Sequence, residues 1–336
     1  MSPVVAVVGA TGAVGRTMIS ILEQRDFPVS ELRLMASARS AGDEITTQWG
    51  AVAVEDLAEA DPTGIDIALF SAGGTRSREH GPRFAASGAV VVDNSSAFRM
   101  DREVPLVVVG VNDAAAHRHQ GIIANPNCTT MTLMMAAGPL HFAAGLESMI
   151  ATSYQAVSGS GQQGVSELLD QQDPLGSDIE SLMRGGWTDP GPRVYERPIA
   201  FNVLPFAGNE VESGYTDEEM KLVNESRKIL DIPGLAVEPT CVRVPVLVGH
   251  GVAATLFFRR AVSADEAIAV LNSAPGVEVW KDRTPTPLDS AGIDDVLTGR
   301  IRETVSTPGG INLWVVGDNL RKGAALNTVQ IAELLV

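Results

Sequence analysis
The chain has 336 residues, 45% of them hydrophobic and 20% charged, with a formal net charge of −16. Such a chain is long enough for two cores and has the composition of a globular enzyme. Its acidity excludes a nucleic-acid partner, because phosphate binding needs a basic surface. Two cysteines in this length make no disulfide framework and point to the reducing cytoplasm.

The opening "MSPVVAVVGATG" has no basic stretch, and its apolar run breaks at Gly9, too soon for a signal peptide. No later run approaches the ~20 apolar residues of a spanning helix, so no membrane partner is expected. "VVAVVGA" reads as a strand buried on both faces, followed by a glycine turn and a helix from Val14 to Gln24. "ELRLMAS" is the second strand. "IDIALFSAGG" and "GAVVVDNSSA" are two more, separated by the helical "TRSREHGPRFAAS". "VPLVVVGVN" and "GIIANPN" complete the set. Strands alternating with helices predict a doubly wound, Rossmann-like parallel sheet in an α/β fold.

After Cys128 the texture changes. "LESMIATSYQAVSGSG", "LAVEPTCVRVPVLVG" and "GVAATLFFRRAV" read as longer, more amphipathic strands, with "TDEEMKLVNESRKIL" and "ADEAIAVLNSA" as helices. They predict an α+β domain with an antiparallel or mixed sheet whose outer face suits a homodimer. "DPLGSDIESLMRGGWTDPGPRVYERP", rich in Gly, Pro and Asp, reads as a long surface excursion. The tail is helical by the spacing of Leu326, Val329, Ile331, Leu334 and Leu335 and is expected to pack on the first domain.

Gly9, Gly12 and Gly15 lie between the first strand and its helix. In that frame Gly9 allows the tight turn, Gly12 lets backbone approach a pyrophosphate, and Gly15 permits close helix–strand packing. After the second strand comes "SARSAG", with Arg39 and Ser40 and no acid before Asp43. An arginine with flanking hydroxyls suits a 2′-phosphate, so the predicted cofactor is NADP rather than NAD.

The strand "GIIA" delivers Cys128 to the carboxyl edge of the sheet, where a helix begins at Thr129. A thiolate at a helix start is stabilised by free N–H groups and the dipole. An inert packing cysteine fits poorly among such polar neighbours. Its proton partner is sought among five histidines. His117 and His119 read as surface, His80 as part of a charged helix end, and His141 as a helix C-terminus. His250, between two glycines in an apolar strand region, is the candidate base; a satisfied core histidine is the other reading. Arg243 in "TCVRVPV" reads as a carboxylate clamp by its forked geometry. Cys241 beside it reads as packing. Arg99 and Lys221 are further basic candidates.

"GATGAVG", "SARSAG", "SAGG", "VVDNSSAFRM", "NPNCTT", "SYQAVSGSG", "DEEMKLVNES", "CVRVPVLVGH" and "GDNLRKGAALN" follow one another from end to end of the chain. In this order the sequence resembles the aspartate-semialdehyde dehydrogenase family, NADP-dependent phosphorylating enzymes of lysine, methionine, threonine and diaminopimelate biosynthesis. The resemblance implies Cys128 as nucleophile, His250 as acid–base partner and Gln155 as the residue that orients the intermediate. It implies Arg243 and Glu218 for the substrate carboxylate and amine, and Arg99, Lys221 and Asn127 for phosphate. Thr11, Gly12, Ala13, Val14, Arg39, Ser40, Ser71, Ala72, Gly73, Ser158, Gly159 and Asn319 would contact NADP, and no metal is implied. Glu218 rather than Glu219 rests on its three-residue offset from Lys221. Gln162 and Gln163 stand where smaller residues are expected. The implied domains are 1–127 with 319–336 for NADP, and 128–318 for catalysis and dimerisation. An N-acetylglutamyl-phosphate reductase, with the same chemistry and no need for an amine binder, is the rival reading; a silent nucleotide-binding homologue is another.

Overall fold
The computed structural model describes residues 2–336. The chain divides into two compact units. The first is the chain up to Gly138 with Asn224–Gly234 and Leu320–Val336; the second is Pro139–Val223 with Leu235–Asn319.

The first unit opens with β1 (Val4–Val8), α1 (Ala13–Gln24), β2 (Glu31–Ala36), β3 (Glu44–Thr47) and β4 (Gly50–Asp56). It continues through β5 (Ile67–Phe70), α2 (Gly74–Ala86), β6 (Val90–Asp93) and β7 (Ile122–Ala124) to the start of α3 (Cys128–Ala144). The strand order is β3-β4-β2-β1-β5-β6-β7, parallel except for the antiparallel pair β3–β4. Successive residues of β1 point to opposite faces. Val5 and Val7 join the cluster containing Met18, Leu22 and Val329, while Ala6 and Val8 join the one containing Phe84. Two covered faces explain the unbroken apolar run of β1. The chain fills one side of β1 with β2 and β4, then crosses to β5 on the other, so the switch point lies between β1 and β5.

Two expectations need correction here, and the hairpin β3–β4 carries no strong apolar pattern in the sequence. "VPLVVVGVN" is not a strand: it contributes one bridge, Leu106 to Ala124. Its core residues Val107 and Val108 are buried, but beyond the Val107 N–H, which reaches Ala124 O, side chains take the next two N–H groups, Asn112 Oδ1 that of Val108 and Asn327 Oδ1 that of Val109. Apolarity alone cannot distinguish that arrangement from a ladder. The C-terminal helix, Leu326–Glu333, stops before Leu334 and Leu335.

The second unit contains β8 (Leu146–Gln155), α4 (Gly161–Gly176), α5 (Ile179–Met183), α6 (Asp217–Ile229, its last turns in the first unit), β9 (Ala236–Arg243) and β10 (His250–Phe258). It also holds α7 (Ala264–Asn272), β11 (Val277–Trp280), α8 (Pro287–Ser290), β12 (Val296–Glu303) and β13 (Gly310–Gly317). The order is β11-β12-β13-β10-β8-β9, with β8–β9 and β11–β12 parallel and the other pairs antiparallel. The sheet is therefore mixed. Met149, Ala151, Ser153 and Gln155 of β8 face inward, while Ile150 and Tyr154 are exposed on the opposite face.

The surface excursion starts later than its composition implied, because α4 runs through Pro174 to Gly176. Buried Glu167 accepts the N–H groups of Val194 and Tyr195, at 2.6 and 3.3 Å. One turn on, Gln171 Oε1 accepts those of Ile199 and Ala200, at 2.8 and 3.2 Å. Two polar side chains at i and i+4 thus fasten a loop that has no ladder of its own.

A Cβ on Gly15 would strike the Gly9 carbonyl, whereas one on Gly12 would meet only that carbonyl, at 3.3 Å. Gly15→Ala is therefore expected to destabilise the protein by on the order of 1–3 kcal/mol in urea unfolding, and Gly12→Ala by distinctly less. Equal unfolding midpoints for the two variants would refute this packing account.

Candidate active site
The β1–α1 turn is held by backbone geometry. Gly9 adopts φ +89° and donates its N–H to Met35 O at 2.8 Å. Any side chain there would run into the Ser71 carbonyl, so the glycine lets the ends of β1 and β5 meet. Gly12 precedes α1 and Gly73 precedes α2, and neither helix start is capped by a side chain. Their first N–H groups and dipoles are left for an anion. Thr11, Gly12, Ala13 and Val14 lie at the accessible rim of that turn. Ala72 and Gly73 line a cavity of about 410 Å³ with Gly74, Thr75, Arg76 and Glu79. Arg39 is exposed and Ser40 half-buried in a single 3₁₀ turn after β2. Among the described residues, no cluster of ligating side chains could hold a metal ion.

Cys128 is the first residue of α3 and is partly exposed. Asn127 caps it: its Oδ1 accepts the N–H groups of Thr129 and Thr130 at 2.9 and 3.4 Å. Such a cap contributes about 1 kcal/mol to the helix start. The Asn127 N–H donates to Glu225 Oε2 at 2.7 Å, and Arg99 Nη1 donates to Glu225 Oε1 at 3.0 Å. Arg99 also donates from Nε to Asn125 O, at 2.8 Å, and from Nη2 to Asn94 O, at 3.0 Å. The residue expected in the phosphate pocket is thus buried and bound to the turn that carries the cysteine. Behind the turn, Asn327 Nδ2 donates to Asn125 Oδ1 at 2.7 Å, and Lys322 Nζ donates to Asn327 Oδ1 at 3.1 Å.

In the second unit His250 heads β10 and is fully buried. Its Nδ1 accepts the Ala156 N–H at 3.0 Å, which assigns the ring proton to Nε2. Nε2 itself is buried without a partner. Burial, and then the neighbouring Arg243 cation, push the imidazole down to about 3. The ring is therefore a neutral imidazole. Arg243 ends β9 in register with Gln155 of β8. Its Nη1 donates to Ala156 O at 2.9 Å, and its Nε is buried and unpartnered. A Cβ on Gly159 would lie 2.8 Å from Arg243 Nη1 and 3.2 Å from His250 Nε2, so only glycine admits both groups.

Asn319 Oδ1 accepts the Gly249 N–H at 2.9 Å, and its Nδ2 donates to Ser158 Oγ at 2.9 Å, tying both expected cofactor contacts to the strand start before His250. Gln155 is buried, with Nε2 on Ser153 Oγ at 3.2 Å. Gln162 and Gln163 are exposed on the first turn of α4. Cys241 is buried, and burial pushes its thiol up to about 12, as befits a packing residue. His119, expected at the surface, is half-buried and accepts the Gly121 N–H on Nδ1 at 3.0 Å.

Arg243 and Glu218 line one cavity of about 620 Å³ together with Gly159, Tyr195 and Asp217. Glu219 does not, because its carboxylate accepts the Thr216 and Cys241 N–H groups at 2.8 and 2.9 Å. Lys221 Nζ is held between Asp217, at 2.7 Å, and Glu218, at 2.8 Å. Burial pulls its pKa down, but the two carboxylates outweigh that and leave it raised. Sequence reasoning missed Tyr195, whose ring stands 6.0 Å from the Arg243 guanidinium. It also missed Glu225, although Leu222 and Ile229 at helical spacing marked that face of α6 as inward.

Comparison with known proteins gives two family matches: semialdehyde dehydrogenase, NAD binding domain, over residues 4–119, and semialdehyde dehydrogenase, dimerisation domain, over residues 138–322. The aspartate-semialdehyde dehydrogenase of Streptomyces akiyoshiensis is 56% identical over 98% of both chains, and that of Mycolicibacterium smegmatis 52% over 98% of both. Aspartate semialdehyde dehydrogenase II of Vibrio cholerae, solved in complex with ASA, superposes with a TM-score of 0.91 at 43% identity, covering 100% of this chain and 98% of that one. Matched along nearly its whole length by such relatives, with the glycine turn, capped cysteine and arginine–histidine pair in place, this chain belongs to the aspartate-semialdehyde dehydrogenase family.

Proposed function
We propose that the protein catalyses the phosphorylating oxidation of L-aspartate 4-semialdehyde with NADP+, giving L-aspartyl 4-phosphate and NADPH, and that the cell runs it in reverse. The observation that carries this reading is the Arg243–His250 pair packed against Gly159, with Glu218 on the same cavity as Arg243. A buried guanidinium with an unpartnered Nε calls for an anion, and Glu218, paired with Lys221, brings a carboxylate suited to an ammonium to the same cavity. Aspartate semialdehyde offers both, a carboxylate for Arg243 and an ammonium for Glu218. An acyl substrate without a free amine would leave Glu218 unused, which disfavours the N-acetylglutamyl reading.

The cofactor reading rests on the turn at Gly9 and the close helix approach at Gly15, which only glycine allows, on uncapped helix starts and on Arg39 after β2. Gly12 and the α1 start would hold the pyrophosphate, and Arg39 with Ser40 the 2′-phosphate. When bound, NADP+ supplies the hydride acceptor. The protein's own groups do the rest. His250 takes the thiol proton of Cys128, and the thiolate attacks the aldehyde carbon to give a hemithioacetal. Loss of hydride from that carbon, with its hydroxyl proton passing to a base, leaves a thioester. Phosphate oxygen then attacks the thioester carbonyl, and the departing sulfur leaves as thiolate. Gln155 orients the acyl group, Lys221 and Asn127 serve the phosphate, and Arg99 acts through the turn that it holds. A homodimer is the assembly that fits, built on the open sheet face that carries Ile150 and Tyr154.

Phosphate-dependent reduction of NADP+ by aspartate semialdehyde is expected in the purified protein and is expected to vanish in Cys128→Ser. Reduction of N-acetylglutamyl phosphate in its place would sink the substrate reading. His250→Ala should slow turnover by on the order of 10²–10⁴-fold while leaving NADPH affinity intact. Unchanged turnover would remove His250 from the mechanism.

A pH dependence follows as well. Burial and Arg243 together hold His250 down, and a bound substrate carboxylate would cancel the second cause. The pKa of the acid limb should therefore be higher in kcat, which reports the complex, than in kcat/KM, which reports the free enzyme. Profiles with coincident or reversed acid limbs would contradict it.

A further inference from the structure
The last turns of α6 grip two segments of the first unit. Glu225 is 1% exposed, and its two oxygens are divided between Arg99 Nη1, at 3.0 Å, and the Asn127 N–H, at 2.7 Å. One turn on, Lys228 Nζ donates to the carbonyls of Arg99, Asp101 and Val104 at 2.6, 2.8 and 2.7 Å. Glu225 and Lys228 thus fix both the side chain and the backbone of the Arg99 segment.

Stability alone does not account for an acid at position 225. A buried ion pair rarely stabilises a fold more than apolar residues of the same volume would. Leu222 and Ile229, on the same face of α6, show that apolar packing is available there. What the carboxylate adds is direction. It accepts the N–H of the peptide immediately before Cys128, and the side chain of that same residue, Asn127, caps the first turn of α3. Rotation of that peptide would swing the cap and the sulfur together. Arg99 pulls on the same turn from the Asn125 carbonyl. The peptide is therefore held on both sides of Pro126.

We propose that Glu225 is a positioning residue for the reaction: by accepting both Arg99 and the Asn127 N–H, it sets the direction in which the Cys128 sulfur meets the aldehyde. This rests on the reading of Cys128 as nucleophile. Glu225→Gln is the discriminating variant. It keeps the volume and one acceptor oxygen, but its amide NH2 meets a second donor, so one of the two partners is released.

The experiment measures three things on the full-length protein: the rate of Cys128 alkylation by iodoacetamide, steady-state kinetics, and thermal unfolding. The expected result is a fall in both alkylation rate and kcat, on the order of 10²-fold, in a protein folded at the assay temperature with an unchanged KM for NADP+. Glu225→Asp restores the charge without the reach and is expected to remain impaired. Wild-type alkylation and turnover in Glu225→Gln would overturn the proposal. So would full rates in Glu225→Asp, which would leave a role for charge alone. Losses that match the unfolded fraction, with the folded fraction alkylating at the wild-type rate, would reduce Glu225 to a structural residue and overturn it too. Turnover retained by Cys128→Ser would instead bring down the nucleophile reading beneath it, so the two failures are separable.

Discussion
A polar turn that is buried must find a partner inside the protein for every donor and acceptor it carries, since a group left unpaired there costs on the order of 1–3 kcal/mol. Residues 125–128 form such a turn, and much of the first unit is arranged around that demand. Its partners come from widely separated parts of the chain. Asn94 and Arg99 follow β6, Glu225 comes from α6, and Asn327 and Lys322 come from the C-terminal segment. The last three lie in the segments Asn224–Gly234 and Leu320–Val336, which join the first unit although they are remote in sequence. The discontinuity of that unit and the satisfaction of one buried turn are the same fact seen twice.

The second unit sets two unpartnered groups close together around Gly159. Arg243 Nε and His250 Nε2 are buried and left without partners. Burial, and then the cation beside the imidazole, keep the ring neutral, and Ala156 binds both groups, its N–H to Nδ1 and its carbonyl to Nη1. One backbone residue therefore sets the spacing of the pair, and Gly159 leaves room for it. The proposed substrate site rests on that pair of unsatisfied groups. The cavity wall opposite depends on α4, whose Glu167 and Gln171 fasten the segment carrying Tyr195.

Much of this was legible in the chain. Unbroken apolar runs between helical stretches gave the parallel sheet, because a strand covered on both faces has no polar alternation. The glycine triplet gave the nucleotide end, because only glycine tolerates the φ of Gly9 and the approach at Gly15. Cys128 could be placed at a helix start from "NPNCTT" alone, and Glu218 could be preferred to Glu219 from one helical offset. The β3–β4 hairpin was not legible, because short half-exposed strands carry little pattern. Nor was the loop at residues 105–111, since burial is readable but the identity of the hydrogen-bond partner is not.

By itself, then, the sequence determined which elements form and which residues carry reactive groups, since both depend on local spacing and side-chain chemistry. Tertiary structure decided what those groups are bonded to and in what electrostatic state. Arg99, given to phosphate by the family resemblance, is committed to Glu225 and two carbonyls. His250, by sequence either a base or a core histidine, is a neutral ring held down by burial and Arg243. Glu225, unremarked in the sequence, holds the peptide before the cysteine. Each outcome is set by desolvation and by which groups the fold brings side by side, and neither leaves a mark on local pattern.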